Sequence, residues 1–405
     1  MRILLFHNRY RRPGGEDAAF DAELRMLRAC GHEVYSAIAT NEAEGDQATL
    51  RGKVALLRDS AWSRTSYEKA LAICRDFKPD VAHVHNFWMA WTPSVHAACQ
   101  AAGVPTVQTL HNFRLLCANA LFLRNGKPCE DCLHSSPLLG VARRCYRNSF
   151  VASASVVRMV AANRRKATWT SQVNAFITPG QHARDRFAAA GFPPERLFVK
   201  PNVIPDLTRA PQAPSASRTL VYVGRLSAEK GIAVLLKAWA LANKPLQSRL
   251  LLIGEEQNPG EFSRDLPEGV ALTGHLAAAQ IGSHLGAARA LVLPSLCYET
   301  FGNTVVEAFS RGRPAVVSDI GALSPLVQNG RTGFKCAPGD ANALAARIET
   351  ILTDDLWIDS MGAHARDEYA ERFSENANHD ALLRIYRFAQ SAAGCAPAVE
   401  YVSHS

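Results

Sequence analysis

Hydrophobic and polar positions in the first half of the chain alternate between short apolar runs and segments with helical spacing. The runs MRILLF, GHEVYSAIA, DVAHVHNF and GVPTVQTLH are typical of buried strands. The segment DAAFDAELRMLRAC, residues 17–30, carries its apolar residues at the spacing of an amphipathic helix. Strands that alternate with helices predict a parallel sheet covered by helices on both faces.

The second half repeats this scheme. Its five strand-like runs, separated by helical segments, are RTLVYVGRL, SRLLLIGEE, GVALTGHL, ARALVLPS and GRPAVVSD. Between the halves lies KPNVIPDLTRAPQAPSAS, whose Pro, Ala and Ser content indicates an interdomain linker. The pattern predicts an α/β protein with two Rossmann-like, doubly wound parallel-sheet domains that face a central cleft. Ligands of such sheets bind beyond the carboxyl ends of the strands.

A length of 405 residues agrees with two domains. We place the first domain at residues 1–202, with a cysteine-rich insert at about 112–148, and the second at 203–372. Residues 373–390 are expected to form a helix that can cross back to the first domain. Residues 391–405 are expected to form a flexible tail.

Composition places the chain among ordinary globular proteins, with 47% hydrophobic and 20% charged residues. The N-terminal apolar run is too short for a signal peptide, and no run approaches the roughly 20 apolar residues that cross a bilayer. We therefore expect a cytoplasmic protein. In a reducing compartment its ten cysteines are expected to be thiols or metal ligands.

The net charge of +8 reflects a basic excess in the first half. Between Arg114 and Lys166 there are ten basic residues and only two acids, Glu130 and Asp131. This excess favours an anionic partner, either membrane headgroups or a phosphorylated lipid, over a solvated basic face. We expect peripheral contact with the inner face of the cytoplasmic membrane. No recognisable nucleic-acid-binding module accompanies the charge, so nucleic acid is not expected as a partner.

The segment CYETFGNTVVE, residues 297–307, holds two carboxylates around the expected start of a helix. Helical spacing begins near Gly302 and Asn303; Asn is a good N-cap, and Gly lets the backbone approach a ligand. A helix N-terminus favours a phosphate. Glu307, about one turn into the helix, can hydrogen-bond a diol beside that phosphate, such as that of a ribose. Glu299 precedes the helix, on the loop that lines the cleft. On spacing alone, the simpler interpretation is that Glu307 is a solvated helix residue and Glu299 an ordinary loop acid.

Two further segments fit a diphosphate. In VYVGRLSAEKG, Arg225 and Lys230 lie five positions apart around a strand-to-helix turn, where a guanidinium and an ammonium can clamp two phosphates. Gly14 and Gly15 follow the first strand. A double glycine there suits either close approach of the backbone to a diphosphate or a plain tight turn.

Together these segments resemble one family. GRLSAEKG, ETFGNTVVEA and GRPAVVSDIGALSPLVQNGRTGF look like the donor-binding half of the retaining GT-B glycosyltransferases of family GT4, also called glycosyl transferases group 1. RYRRPGGED, AHVHNF and TLHNFRLLC look like its acceptor half. The resemblance covers the chain to about residue 390. It implies a GT-B fold and a hexosyltransferase that uses a nucleotide-diphosphate sugar.

The resemblance also implies roles for the residues that contact the nucleotide. Arg225 and Lys230 would neutralise the diphosphate, and Glu307 would hold the ribose hydroxyls. Gly14 and Gly15 would close over the phosphate from the opposite domain.

A second implied group contacts the sugar. Glu299, with the backbone of Phe301, Gly302 and Asn303, would contact the sugar hydroxyls and the β-phosphate. His111 matches the histidine that lies near the anomeric carbon in this family. Retention in the family implies front-face attack, with the leaving phosphate helping to take the proton of the acceptor.

No Asp-x-Asp motif occurs in the chain, and the nearest acidic cluster, at residues 41–46, falls in an expected surface loop. Mg²⁺ or Mn²⁺ therefore has no evident catalytic site. Basic side chains and the helix terminus are expected to stabilise the charge that develops on the leaving diphosphate.

The insert holds four cysteines, with the spacing C-x11-C-x2-C-x12-C. They are Cys117, Cys129, Cys132 and Cys145. Four thiolates arranged as a tetrahedron are a structural zinc site, and four buried thiols in a loop subdomain account for the spacing equally well. A redox motif is less favoured because no thioredoxin-like context surrounds Cys129.

The segment ARRCYRNSFVASASVVRMVAANRRKATW, residues 142–169, is helix-like, with basic residues at both ends. It can lie against anionic lipid or form a core helix with charged ends, and the charge of the domain favours the lipid. The resulting prediction is a retaining transferase that extends a bacterial surface polysaccharide on a lipid-linked or oligosaccharide acceptor. A nucleotide-sugar epimerase and a non-catalytic nucleotide-sugar-binding partner protein remain as alternatives.

Overall fold

Two six-stranded parallel sheets organise the chain, which the computed structural model describes over residues 1–10, 14–40, 57–206 and 212–394. In chain order the strands are β1 (Arg2–Arg9), β2 (Glu33–Thr40), β3 (Val81–Val84), β4 (Thr106–Thr109), β5 (Leu123–Arg124), β6 (Lys127–Pro128), β7 (Ala175–Thr178), β8 (Leu197–Val199), β9 (Thr219–Val223), β10 (Arg249–Ile253), β11 (Val270–Gly274), β12 (Ala290–Leu293), β13 (Ala315–Ser318) and β14 (Gly333–Cys336).

Helices cover both faces of each sheet. They are α1 (Gly15–Ala29), α2 (Arg64–Phe77), α3 (Ser94–Ala101), α4 (Asp131–His134), α5 (Leu138–Ala142), α6 (Phe150–Arg165), α7 (Thr168–Ser171), α8 (Gln181–Ala189), α9 (Ile232–Leu241), α10 (Ala278–Ala287), α11 (Asn303–Phe309), α12 (Leu323–Leu326), α13 (Ala341–Thr353), α14 (Asp355–Arg372) and α15 (Glu375–Gly394). Among the described helices, none has the length and apolar character required to span a bilayer.

The first sheet has the strand order β2-β1-β3-β4-β7-β8. Its central strand β1 shows why both faces are covered: Leu4 and Phe6 pack into one core cluster, and Ile3 and Leu5 into another. Successive side chains of a strand point to opposite faces, so a continuous apolar run is buried only when helices lie on both sides. The four strands predicted in this half are confirmed.

The second sheet has the order β11-β10-β9-β12-β13-β14, and its strands all pair in parallel. The five strands predicted here are confirmed. This is the doubly wound order, in which the direction of winding reverses between β9 and β12. The two-domain α/β class predicted from the apolar pattern is therefore the observed one.

The chain passes from one domain core to the other within two consecutive residues. Val203 belongs to a core cluster of the first domain, whereas Ile204 belongs to the core of the second. The chain then returns through α15, where Leu382 and Tyr386 pack beneath the first sheet. The helix ends at Gly394, so residues 391–394, assigned to the tail from the sequence, are helical. The acidic cluster at 41–46 lies outside the described residues.

Helix α6 corrects one expectation from the sequence. Its apolar residues Val156, Met159 and Val160 are buried in the core of the first domain, so they are not available to a lipid surface. Ser149 caps the helix by accepting a hydrogen bond from the N–H of Ala152. The interpretation as a core helix with charged ends is the correct one.

Candidate active site

The donor side of the cleft is formed by two loops at the point where the winding of the second sheet reverses. One loop follows β9 and carries residues 224–231, and the other follows β12 and leads through residues 294–302 into α11. A backbone hydrogen bond of 2.8 Å, donated by Leu296 N–H to the carbonyl of Glu229, joins the two loops. In sheets of this kind, ligands bind at the reversal, beyond the carboxyl ends of the strands.

Gly231 permits this close approach. Its φ is +74°, in the left-handed region, and a Cβ here would lie 2.0 Å from the carbonyl oxygen of Pro294. Any other residue would place its Cβ against the backbone of Pro294, and the positive φ would also strain its own backbone. This glycine therefore fixes the position of Lys230 relative to the loop after β12.

Lys230 and Glu299 form an ion pair at the base of the cleft. Lys230 Nζ donates to Glu299 Oε1 at 2.5 Å, and the Ser295 hydroxyl donates to the same oxygen at 2.8 Å. Burial alone would lower the pKa of Lys230, but the neighbouring Glu299 carboxylate outweighs it and raises that pKa. Burial would likewise raise the pKa of Glu299, and Lys230 lowers it. Both groups are therefore held in their charged forms.

Arg225 lies nearer the mouth of the cleft. One guanidinium nitrogen donates to Glu229 Oε1 at 3.1 Å, and the side chain is 53% exposed. The Tyr222 hydroxyl donates to the carbonyl of Arg225 at 2.8 Å and fixes the backbone of the turn. The turn thus presents one accessible guanidinium and one largely buried ammonium.

The start of α11 differs in one detail from the sequence expectation. The N-cap position is Gly302, with φ +111°, and Asn303 is the first helical residue, so Asn303 does not cap the helix. Its side chain instead reaches the first domain. Asn303 Oδ1 accepts from Asn202 Nδ2 at 2.8 Å, and its Nδ2 donates to the carbonyl of Gly15 at 3.3 Å.

Three further residues named from the sequence lie in α11, just before it or across the cleft from it. Phe301 is buried in the core of the second domain, where its ring meets Phe373. Burial raises the pKa of Glu307, which lies in α11, and Arg311 opposes the shift. Across the cleft, Gly14 precedes α1, and its N–H donates to Asp17 Oδ2 at 3.0 Å.

His111, in the first domain, contacts the loop that follows β12 in the second domain. The Thr300 hydroxyl donates to the backbone carbonyl of His111 at 2.8 Å. The imidazole Nε2 lies 3.0 Å from Nδ1 of His85, whose Nε2 lies 3.1 Å from Glu23 Oε1. Burial lowers the pKa of His111 well below its usual value, and the charge of His85 would lower it further.

This chain of contacts fixes the tautomer of His111. Burial lowers the pKa of His85 to about 3, so its ring is neutral and carries one N–H. A carboxylate only accepts, so the His85 proton lies on Nε2, towards Glu23. His85 Nδ1 is then an acceptor, and His111 must donate from Nε2 and keep a lone pair on Nδ1.

Glu23 is anchored by a buried cation. Lys200 Nζ lies 3.0 Å from Glu23 Oε2 and also donates to Asn378 of α15 at 3.1 Å. Glu23, His83 and His85 bring three ligand atoms within 4.8 Å of one another, a spacing compatible with a metal ion. In the arrangement observed, Lys200 supplies the positive charge beside this carboxylate. Glu23, His85 and Lys200 were not identified from the sequence, where AHVHNF was the only signal.

A cavity opens beside His111 at the ends of β3 and β4. It has a volume of about 40 Å³, and its walls include Glu16, Trp88, Gln108 and Arg114. Glu16 accepts from Asn112 Nδ2 at 2.5 Å and from the Tyr10 hydroxyl at 3.0 Å. Burial raises the pKa of this carboxyl, and those donors oppose the shift.

The four cysteines of the insert lie in one subdomain as free thiols. Cys117 is buried, and Cys129, Cys132 and Cys145 are half-buried. Burial, together with thiolate charge on the other three cysteines, raises the pKa of Cys132 to about 11, so the four sulfurs lie within electrostatic range of one another. Within the described part of the chain, three cysteine sulfurs do not converge within 4.8 Å. The zinc site stays a prediction.

Solved structures define the class of the fold. Anabaena HepE in complex with UDP-glucose superposes with a TM-score of 0.64 at 20% identity, covering 96% of this chain and 100% of HepE. Sucrose-phosphate synthase from Thermosynechococcus elongatus gives a TM-score of 0.68 at 19% identity, covering 96% and 99%. The architecture is thus that of the GT-B glycosyltransferases.

The sequence identifies the family. A family model for Glycosyltransferase Family 4 matches residues 19–206, and one for Glycosyl transferases group 1 matches residues 217–354. Glycogen synthase from Mycobacterium tuberculosis is 28% identical over 330 residues, which is 78% of this chain and 71% of that protein. D-inositol 3-phosphate glycosyltransferase 1 from Catenulispora acidiphila is 28% identical over 76% of this chain and 72% of its own length. The chain is a GT-B glycosyltransferase of the GT4 type.

Proposed function

We propose that this glycosyltransferase moves a hexose from a nucleotide-diphosphate sugar to a saccharide acceptor with retention of configuration and without a catalytic metal ion. The observation that carries the proposal is the position of Lys230. It is a largely buried ammonium at the reversal point of the second sheet, near Arg225 and paired with Glu299. HepE, which shares the fold, was crystallised with UDP and with UDP-glucose, and this supports a nucleotide-diphosphate sugar as donor.

In the proposed reaction, the bond between the anomeric carbon and the β-phosphate oxygen breaks. The acceptor hydroxyl forms a new bond to the same face of that carbon, and its proton passes to the leaving phosphate. Negative charge grows on the diphosphate, where Arg225 and Lys230 stabilise it. In this proposal Glu299 and His111 bind hydroxyls of the sugar, and Glu307 holds the ribose.

The experiment that tests this function measures nucleoside diphosphate released from UDP-glucose, with and without a saccharide acceptor, in the presence of a chelator. We expect release that depends on the acceptor and persists with EDTA. Isomerised nucleotide sugar without net release would indicate the epimerase alternative. Binding without turnover for any donor would indicate the non-catalytic alternative.

We further propose that the acceptor is lipid-linked and belongs to surface polysaccharide synthesis. The support is an exposed patch on the first domain: Leu138 is 66% and Phe150 is 48% exposed, and the Arg144 guanidinium lies 4.2 Å from the Phe150 ring centre. Apolar side chains beside cations suit an anionic membrane surface. Vesicles with anionic lipid are expected to sediment the protein, and the double variant Leu138→Ser/Phe150→Ser is expected to stay in solution. Equal sedimentation of the wild-type protein and the double variant would contradict the proposed membrane contact.

For the cysteine cluster we propose a structural zinc ion. Elemental analysis is expected to give about one zinc per chain. Cys132→Ser should lose the metal and melt at lower temperature, whereas Cys30→Ser, an exposed thiol elsewhere in the domain, should change neither. A wild-type protein purified without zinc, and insensitive to added zinc, would contradict the site.

A further inference from the structure

The cavity beside His111 contains buried hydrogen-bonding atoms without partners. Arg114 Nε and Nη1 and Trp88 Nε1 are all buried, and none has a hydrogen-bond partner among the residues that the structure describes. Trp88 and Gln108 are each 3% exposed and line the cavity together with Arg114. Such groups cost free energy unless something pairs with them, so their concentration around one cavity indicates a ligand.

The charge around the cavity indicates which ligand. The Arg114 guanidinium stacks 4.8 Å from the Tyr146 ring centre and 5.8 Å from that of Trp88, and these rings hold it in place without neutralising it. The acid in the cavity wall, Glu16, accepts hydrogen bonds from Asn112 and Tyr10 and interacts with Arg114 through its charge alone. A fixed guanidinium with two unpaired donors, next to an indole N–H, suits an oxyanion.

From these contacts we propose that the cavity binds an anionic group, a phosphate or a carboxylate, carried by the acceptor saccharide. Arg114 forms the ion pair with it, and Trp88 Nε1 donates a further hydrogen bond. This inference deepens the proposed transferase function and rests on it, because the cavity is assigned to the acceptor.

The volume and position agree with this occupant. A volume of about 40 Å³ has room for a few water-sized groups, which is enough for an oxyanion, while the rest of the sugar would lie outside in the cleft. The cavity wall includes His111, whose carbonyl touches the donor loop, so a sugar held by Arg114 lies next to the proposed site of transfer. Tyr146, which stacks on Arg114, belongs to the loop between the exposed side chains Leu138 and Phe150. A phosphate that joins a sugar to a membrane lipid would therefore meet Arg114 on its way into the cleft.

The test uses calorimetric titration of full-length protein saturated with UDP, at matched ionic strength. The probes are glucose 1-phosphate, glucuronate and glucose. We expect at least one anionic probe to bind about ten-fold or more tightly than glucose. Preference for glucose 1-phosphate would assign a phosphate, and preference for glucuronate would assign a uronic acid.

Variants locate the effect. Arg114→Gln should abolish the preference for the anion, and Arg114→Lys, which keeps the charge but not the fork, should leave an intermediate preference. Arg165→Gln, which removes an exposed charge at the end of α6, should have no effect. UDP affinity should be the same in all three variants, so a failure of UDP binding would count against the donor site and not against this inference.

Two results would overturn the proposal. One is equal binding of glucose and both anions, or no binding of either anion at about 50 mM, a concentration that reveals even millimolar affinity. The other is a preference for the anion that survives in Arg114→Gln.

Discussion

At the scale of single residues, the donor site depends on a cation that is already paired. Lys230 binds Glu299 at 2.5 Å, and both charges are fixed by their mutual attraction. In the proposed function a diphosphate would share Lys230 with Glu299 and meet an ammonium that is already held in position. Preorganised charge of this kind is effective in a site that excludes water.

Replacement of Lys230 tests this arrangement. Lys230→Ala is expected to reduce kcat/KM for the donor by about 100-fold or more, because the developing charge loses its buried counter-ion. The matched control is Lys237→Ala, an exposed position on α9, which should retain full activity. Steady-state kinetics with varied donor provide the measurement, and an active Lys230→Ala enzyme would contradict the assignment.

A second residue-scale prediction concerns Glu23, a positioning residue that acts through His85 on His111. In Glu23→Gln the side chain can donate as well as accept, so the His85 and His111 tautomers are no longer fixed. We expect kcat to fall about ten-fold with little change in KM for the donor.

Nitrogen NMR of histidine-labelled protein gives a readout that a structural role alone would not change. Wild-type protein should show His111 protonated on Nε2, and Glu23→Gln a mixture of tautomers. Folding is checked by thermal melting, because Lys200 loses its buried partner in this variant. An unchanged tautomer together with unchanged kcat would contradict the role of Glu23.

Sequence reasoning proposed Arg225 and Lys230 as a pair but did not find this network, for a physical reason. Arg225 and Lys230 lie five positions apart on one turn, so their cooperation is visible in a short motif. Glu23 and Lys200 come from distant parts of the chain and meet only when α1 and the chain after β8 pack together. Neither residue has a local pattern that distinguishes it from a surface charge.

At the scale of elements, the apolar runs predicted the central strands because those strands are buried on both faces. Strands β7, β8 and β14, of four, three and four residues, were missed. The apolar positions of α6 were correctly read as helical but assigned to a lipid surface. An apolar face alone does not say whether protein or lipid covers it.

Gly231 gives a prediction for the turn between β9 and α9. Gly231→Ala adds a methyl group 2.0 Å from the Pro294 carbonyl at a positive φ, so it combines a clash with backbone strain. We expect a loss of about 3 kcal/mol or more in unfolding free energy, together with weaker donor binding. Gly31→Ala, at φ +78° with no atom within 4 Å of the new Cβ, should lose only about 1 kcal/mol. Similar losses by chemical denaturation would contradict the clash.

His96 in α3 gives a prediction for pH dependence. Its ring is fully buried between Phe87 and Trp169, and burial lowers its pKa to about 3. The unfolded chain takes up the proton near pH 6.5 while the folded protein does not, so stability is lost as pH falls from about 6.5 towards 3.

Removing His96 should therefore flatten the acid limb of the stability curve. In His96→Leu the slope is expected to decrease by up to about 1.4 kcal/mol per pH unit between pH 6 and 4. His284→Leu, exposed on α10, should leave the slope unchanged. Urea titrations at several pH values measure it, and a slope unaffected by His96→Leu would contradict the assignment.

At the scale of the whole molecule, the two domains meet across the proposed site. Asn303 contacts Asn202 and Gly15, and Thr300 contacts His111. Helix α15 adds a second connection, since its Tyr386 hydroxyl lies 2.9 Å from His83 beneath the first sheet. The loop after β12 therefore contacts the first domain at His111, and helix α15 contacts it at His83. The sequence predicted two domains and a cleft, but not which residues meet across it, because those contacts depend on how the two folded surfaces fit.

The most direct measurement of the central claim is calorimetric titration of UDP into the wild-type protein and into the Arg225→Ala/Lys230→Ala double variant, each with EDTA and with added Mg²⁺. The account predicts equal affinity of the wild type under both conditions and a loss of about 100-fold or more in the double variant. UDP binding that requires Mg²⁺, or that is undiminished in the double variant, would contradict a diphosphate site built from these two cations.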